Sequence, residues 1–406
     1  MPDHWQQELH QHVEDIADEL VELRRHFHAH PEPSGEEFDT SLLLYQRLSE
    51  LGLTVAMGPE GCGVVADNSS PAPGSARIAV RGDIDALRIH DEKTAPYRSQ
   101  NDGIMHACGH DAHATMAYGV AAVLSRLEKA GQVPWPLAWR AILQPAEETA
   151  TGAKAMVAAG VMDNVAAIFA LHVDPKRLAG VVGIRKGALT ASCDAIKFTV
   201  IGQGGHGARP HESKDPIAAT ALLVSSLYQF VPRANDSLDG TVLSIGRIAG
   251  GENANVIPEQ VEVEGTLRTL DAQVRAKSID HIRQVLRGVE EITETRIEME
   301  IPADTPAVLN DQTATELLRK AAIHTLGSKQ VEKIPRPSMG SEDFAVYLEE
   351  SPGAMFRLGV AKPGTEHTLL HTSLFDIDES ALAHGVEILA HAIVLACSPE
   401  CEFQSR

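Results

Sequence analysis

The chain has 406 residues, 43% hydrophobic and 22% charged side chains, and a formal net charge of −21. That length exceeds one ordinary core and predicts two domains of a soluble globular protein, while the charge argues against nucleic acid or an anionic membrane as partner. Five cysteines (Cys62, Cys108, Cys193, Cys397 and Cys401) show no disulfide framework, no apolar run nears the roughly 20 residues of a membrane span, and the start has no signal-peptide character, so a cytoplasmic protein is expected.

Trp5, Leu9, Val13, Ile16, Leu20 and Leu23 recur at steps of three and four. This predicts one amphipathic helix that ends before Pro31. The Pro/Ser/Gly-rich stretch 69–75 reads as a surface turn. Residues 77–82 read as a strand followed at once by Asp83-Ile84-Asp85. Residues 137–143 read as another, followed by Gln144-Pro145-Ala146-Glu147-Glu148, and 166–171 as a third, followed by His172. Polar chemistry therefore begins where short apolar strands stop, as in open α/β sheets that bind ligands at the carboxyl ends of their strands. Helices between these strands, near 111–130 and 149–160, predict an α/β catalytic domain whose central, largely parallel sheet is flanked by helices.

The middle of the chain alternates differently. Strand patterns at 194–202, 241–249, 261–268 and 296–301 interleave with helix patterns at 216–230 and 272–291. The order β-α-β-β-α-β predicts an inserted ferredoxin-like α+β lid or dimerisation domain over 186–300, with the catalytic domain formed by 1–185 and 301–406. A further helix is expected near 342–350, where Ser341 could cap it.

The segment His106-Ala107-Cys108-Gly109-His110-Asp111-Ala112-His113 packs a thiol, three imidazoles and a carboxylate into eight residues. Borderline divalent metals take such a mixture of donors. No paired Cys-x-x-Cys spacing accompanies it, so an open catalytic site fits better than a closed structural one. The adjacent Glu147 and Glu148 can divide their work, one carboxylate holding metal and the other moving protons. His172 is a plausible further ligand. No Gly-x-Ser-x-Gly elbow occurs, which argues against a serine hydrolase.

Eight ordered runs make the chain resemble the M20 metallopeptidase family, in its amidohydrolase branch of hippurate hydrolases, N-acyl-amino-acid amidohydrolases and auxin-conjugate hydrolases. They are Leu23 to Glu32, Arg81 to Leu87, His106 to His113, Gln144 to Glu148, Gly204 to Ala208, Asn253 to Pro258, Gly265 to Thr269 and Met339 to Phe344. The resemblance implies two divalent ions (Zn²⁺, Mn²⁺, Co²⁺ or Ni²⁺) held by Cys108, His110, Glu148, His172 and His371. It implies Glu147 as general acid/base, with Asp83 orienting a ligand or tuning that base. It also implies that His206 reaches the active site of the other subunit of a homodimer or higher oligomer and steadies an oxyanion. Asn255, Arg268, Gly340 and Ser341 are the expected substrate contacts.

The reaction so implied is hydrolysis of the amide bond of a small N-acyl amino acid by metal-activated water. A dipeptidase or aminopeptidase on the same scaffold is the first rival, and a non-catalytic metal-binding protein the second. Ile84, Arg88 and Gly207 stand where the branch commonly has methionine, proline and alanine. These departures bear on acyl specificity rather than on the metal chemistry.

Overall fold

The computed structural model describes residues 4–69, 76–364 and 368–404; residues 70–75 of the expected surface turn lie outside them. The chain forms two compact units, one of Met1–Gly187, Leu309–Arg336 and Asp343–Arg406 and the other of Ala188–Val308 with Pro337–Glu342.

The first unit begins with helices α1 (His4–Glu14), α2 (Ala17–Ala29) and α3 (Phe38–Glu50) and strands β1 (Thr54–Met57), β2 (Val64–Asp67) and β3 (Arg77–Asp83). It continues with α4 (His110–Lys129), β4 (Trp139–Gln144), α5 (Gly152–Ala158), β5 (Val165–Leu178), β6 (Val182–Ile184) and the short β7 (Gly187–Ala188). The single helix expected from Trp5 to Leu23 is two helices. The chain leaves the helical region at Ile16 (φ −111°, ψ 3°), yet Val13, Ile16 and Leu20 are all buried. The apolar spacing runs unbroken across the kink, so the pattern alone did not reveal it.

The second unit holds β8 (Ser192–Ile201), β9 (Gly205–His206), α6 (Pro216–Phe230), β10 (Thr241–Ala249), β11 (Val256–Ile257), β12 (Gln260–Thr269), α7 (Ala272–Thr293) and β13 (Arg296–Thr305). Its sheet has the order β10-β12-β8-β13, all antiparallel, which with α6 and α7 is the ferredoxin-like arrangement. Alternation is regular: Ser192, Asp194, Ile196, Phe198 and Val200 are buried along β8, and Leu223, Leu227, Ile282 and Leu286 pack with that face. Asp215 caps α6 through the backbone N–H groups of Ile217 and Ala218, and Asp271 caps α7 through those of Gln273 and Val274. The unit runs past 300 because β13 continues to Thr305.

The chain then returns to the first unit through β14 (Leu309–Asn310), α8 (Gln312–Leu326), β15 (Val331–Lys333), α9 (Phe344–Glu350), β16 (Gly353–Ala361) and α10 (Ala381–Ala396). Its sheet has the order β1-β2-β4-β3-β5-β16-β6-β15, and the central strands β4, β3, β5 and β16 run parallel. Their near-continuous apolar runs (Ile78 to Val80, Ala141 to Leu143, Ala167 to Leu171) are buried, as expected of strands covered on both faces. The third strand does not stop before His172. Parallel pairing with β16 carries it through His172, opposite Arg357, to Leu178. Nor does Ser341 cap α9, whose N-cap is Asp343 with no side-chain cap bond.

Candidate metal centre

The ends of β3 and β4, the middle of β5 at His172, the start of α4 and the segment around His371 meet in the first unit. Gly109 gives the chain its entry into α4. Its φ is +87°, and a Cβ there would lie 2.5 Å from Val173 Cγ2, so only glycine lets Cys108 and His110 flank this turn closely. After β4, Ala146 takes φ +52°, and Gly152 passes so near Pro145 that a Cβ would sit 1.6 Å from its carbonyl oxygen. That tight loop presents Glu147 and Glu148.

The five expected donors converge. Cys108 Sγ lies 3.5 Å from His172 Nε2 and 3.3 Å from His371 Nε2. Glu148 Oε1 lies 3.4 Å from His371 Nε2 and 3.9 Å from His110 Nε2. Three overlapping sets of donor atoms (Cys108, His110 and His172; Cys108, Glu148 and His371; His110, Glu147 and Glu148) each fall within 4.8 Å of one another. His110 Nε2 and Glu148 Oε1 are buried with no hydrogen-bond partner. Orphaned buried polar atoms are costly, and bound cations would remove that cost. The donor set of sulfur, imidazole and carboxylate therefore fits borderline divalent metals.

The remaining hydrogen bonds fix which nitrogen faces the centre. His110 Nδ1 lies 3.0 Å from both the carboxylate and the carbonyl oxygen of Asp85. His172 Nδ1 donates to the carbonyl of Val173 at 2.8 Å. These bonds place a proton on Nδ1 of each ring and leave Nε2 as the nitrogen that can face a metal, the arrangement that outer partners impose on metal-binding histidines. Asp85 was not singled out from the sequence. It also accepts from Ser34 Oγ at 2.7 Å and from the backbone N–H of Glu148 at 3.0 Å, so it joins two donor-bearing segments.

Asp83 Oδ2 lies 3.7 Å from His110 Nε2. It accepts from Arg81 Nη1 at 2.7 Å and pairs with His113 Nδ1 at 2.6 Å, and His113 Nε2 in turn accepts the backbone N–H of Val173 at 2.9 Å. Arg81 also donates to Asp343, which accepts from Gln144 as well. Glu37, another residue the sequence reading passed over, is fully buried and accepts the backbone N–H of Ala146 at 2.8 Å, holding the loop one residue before Glu147. Only the run Pro33 to Glu37 beside Pro31 could have hinted at it.

Charge follows this geometry. Burial alone would lower the His110 imidazole, but the charge of Asp83, the Cys108 thiol and the bond to Asp85 raise it well above its ordinary value. Burial, with Arg357 and His113, drives His172 well below it. Burial pushes the Cys108 thiol up. Without metal the centre holds protons, and cations must displace them.

Glu147 is mostly buried at 12% side-chain exposure, and its Oε2 lies 3.9 Å from His110 Nε2. Its Oε1 accepts from the backbone N–H of Asp343 at 3.4 Å.

In the second unit, β9 and β11 form a two-stranded ladder that brings His206 beside Val256 and Gly205 beside Ile257. His206 is exposed, and its Nδ1 accepts the backbone N–H of Ala208 at 3.0 Å. A neutral His206 thus carries its proton on Nε2 and is a donor there. Asn255 is exposed next to it, its carbonyl accepting the backbone N–H of Gly207. Arg268, half-buried on β12, donates to the carbonyl of Met339 at 3.0 Å. Gly340 donates its N–H to Ser338 Oγ and accepts from the N–H of Ala191, so its backbone serves its own loop.

A family model described as peptidase family M20/M25/M40 matches residues 79–394. N-acetylcysteine deacetylase of Bacillus subtilis is 38% identical over 93% of this chain and 96% of its own length. Thermostable carboxypeptidase 2 of Saccharolobus solfataricus is 35% identical over 94% of this chain and 96% of its own. Among solved structures, the YXEP protein of Bacillus subtilis, described as a dinuclear metal-binding peptidase of family M20, superposes with a TM-score of 0.80 at 32% identity, covering 95% of this chain and 99% of that one.

Proposed function

This chain belongs to peptidase family M20/M25/M40 as a metal-dependent amidohydrolase or peptidase, and from that premise we propose that it hydrolyses the amide bond of a small N-acyl amino acid. The observation that carries the reading is the convergence of Cys108, His110, Glu148, His172 and His371, with His110 Nε2 and Glu148 Oε1 buried and without a hydrogen-bond partner, beside the Glu147 carboxylate, whose Oε2 lies 3.9 Å from His110 Nε2.

Those five residues would hold two divalent ions, which would supply Lewis-acid polarisation of the acyl carbonyl and would lower the pKa of water to near neutrality. Asp85 and the Val173 carbonyl keep His110 and His172 in the ligating tautomer. Glu147 takes the proton of the attacking water and returns it to the departing amine nitrogen. His206, from the other subunit of a homodimer or higher oligomer, donates from Nε2 to the developing oxyanion. Asn255 and Arg268 meet the substrate carboxylate, Arg268 by the fork geometry suited to it. Assembly is supported by β10, an edge strand of its sheet, and by the exposed Ile217, Tyr228 and Phe230 of the uncharged helix α6. Five unpaired thiols support a reducing, cytoplasmic setting. Among the described residues no helix is long and apolar enough to cross a membrane.

A carboxypeptidase or dipeptidase reading is kept because a relative of similar identity is named as a carboxypeptidase. A panel of N-acetyl, N-benzoyl and longer N-acyl amino acids, assayed beside free dipeptides under defined metal loading, decides between them. We expect N-acyl amino acids to have the higher kcat/KM. Faster cleavage of free dipeptides would transfer the assignment to the peptidase.

A further inference from the structure

The run Leu23 to Glu32 has no part in the chemistry above, yet it contains Arg24 and His28, both wholly buried. An ionic group is placed there at considerable cost unless its partners are well arranged. Arg24 has three carboxylates around it. Its Nε is ion-paired with Asp111 Oδ2 at 2.8 Å without making a hydrogen bond, its Nη2 donates to Asp376 Oδ1 at 3.2 Å and its Nη1 to Glu379 Oε1 at 3.4 Å. His28 Nδ1 adds a 2.6 Å contact to the same Asp111 oxygen.

The two nearer carboxylates belong to the two segments that supply the Cys108 side of the metal centre. Asp111 follows His110 directly at the start of α4. Asp376 lies one short turn beyond His371, a turn closed by the bond from the Phe375 N–H to the Thr372 carbonyl. His371 needs such a hold. Its φ is +60°, a conformation that a non-glycine residue keeps only when its surroundings impose it. Its side chain is 52% exposed, and its backbone N–H reaches Ala107 at 2.8 Å.

We infer that Arg24, by bridging Asp111 and Asp376, is a positioning residue that fixes the His371 segment against the Cys108–His110 segment and so sets the separation of their donor atoms. The broad guanidinium spreads its charge over three nitrogens and so faces Asp111 with one and Asp376 with another; a compact ammonium cannot. Asp376 Oδ2 is meanwhile occupied by Tyr97 Oη at 2.9 Å and Lys362 Nζ at 3.1 Å, which leaves the inward oxygen to Arg24. This inference rests on the metal reading of the centre.

The test is Zn²⁺ titration of the full, metal-stripped chain against a competing chromophoric chelator, with thermal unfolding followed alongside. His371→Ala identifies the Zn²⁺ equivalent that depends on that ligand. Asp376→Ala is expected to weaken this same equivalent about 10–100-fold, Asp376→Asn, which keeps an acceptor for Arg24, to restore it to within about threefold, and the His371→Ala/Asp376→Ala pair to bind no more weakly than His371→Ala alone. Lys362→Ala should leave it unchanged. Arg24→Lys, which keeps the buried charge but not the fork, should repeat the Asp376→Ala loss and stands in if that variant folds poorly. Wild-type Zn²⁺ affinity in both Asp376→Ala and Arg24→Lys, with His371→Ala impaired, overturns the inference alone. Unchanged affinity in His371→Ala overturns the metal reading and the inference with it.

Discussion

The two units place the residues expected at the site in different surroundings. In the first, Arg24, Arg81, Asp83, Asp85, His110, Asp111 and His113 are all buried, and their partners come from several different elements. In the second, His206 stands exposed on the two-residue strand β9, and Asn255 in the turn before β11. Groups that must be fixed before a cation arrives are held by other buried charges, each arranged so that removing one leaves another unpaired. The groups proposed to meet the substrate sit on exposed connections, where they can adjust at little cost in stability.

If this division is right, substitutions in the two units should separate activity, metal content and stability. The largest effect should come from Glu147→Gln, which removes the proton acceptor while keeping the shape. We expect turnover to fall about 10²–10⁴-fold with metal content unchanged, read by kinetics and elemental analysis on the same sample. His206→Ala should lower kcat about 10²–10³-fold, as loss of an oxyanion donor does, without moving the unfolding midpoint. A drop in stability as large as that for a buried first-unit residue would break the comparison.

The smallest effect sharpens the contrast, because it concerns a buried histidine remote from the chemistry. His391 is 3% exposed on α10, edge-on to Trp5 and His324, and burial lowers its pKa to about 3. The unfolded chain takes up the proton below pH about 6.5 while the folded chain does not, so stability is intact above that pH and falls as the medium is acidified towards 3. Denaturant titrations at pH 7.5 and 5 should show this part of the acid loss, about 2 kcal/mol, disappear in His391→Leu, with turnover at neutral pH unaltered.

Much of this was legible in the sequence where chemistry is local. Cys108, His110, Glu147 and Glu148 lie in short runs whose composition announces metal and proton transfer, and the strand ending before Gln144 placed Glu147 and Glu148 at one edge of a sheet. The ferredoxin-like order of the second unit followed from period and alternation alone. What stayed hidden depends on partners far along the chain. Asp85 has meaning only beside His110 and Glu148, Glu37 only beside Ala146, and Arg24 only between Asp111 and Asp376. His172 was expected just past a strand end because β16, which extends the pairing through it, left no alternation to read: it is buried along almost its whole length.

The central claim is that five side chains from distant parts of the first unit hold a pair of cations. Anomalous scattering from crystals of the Zn²⁺-loaded chain tests it most directly. Two peaks, roughly 3.5–4 Å apart and in contact with Cys108, His110, Glu148, His172 and His371, are the predicted result. Ions bound elsewhere, or none at that cluster at saturating Zn²⁺, would contradict it.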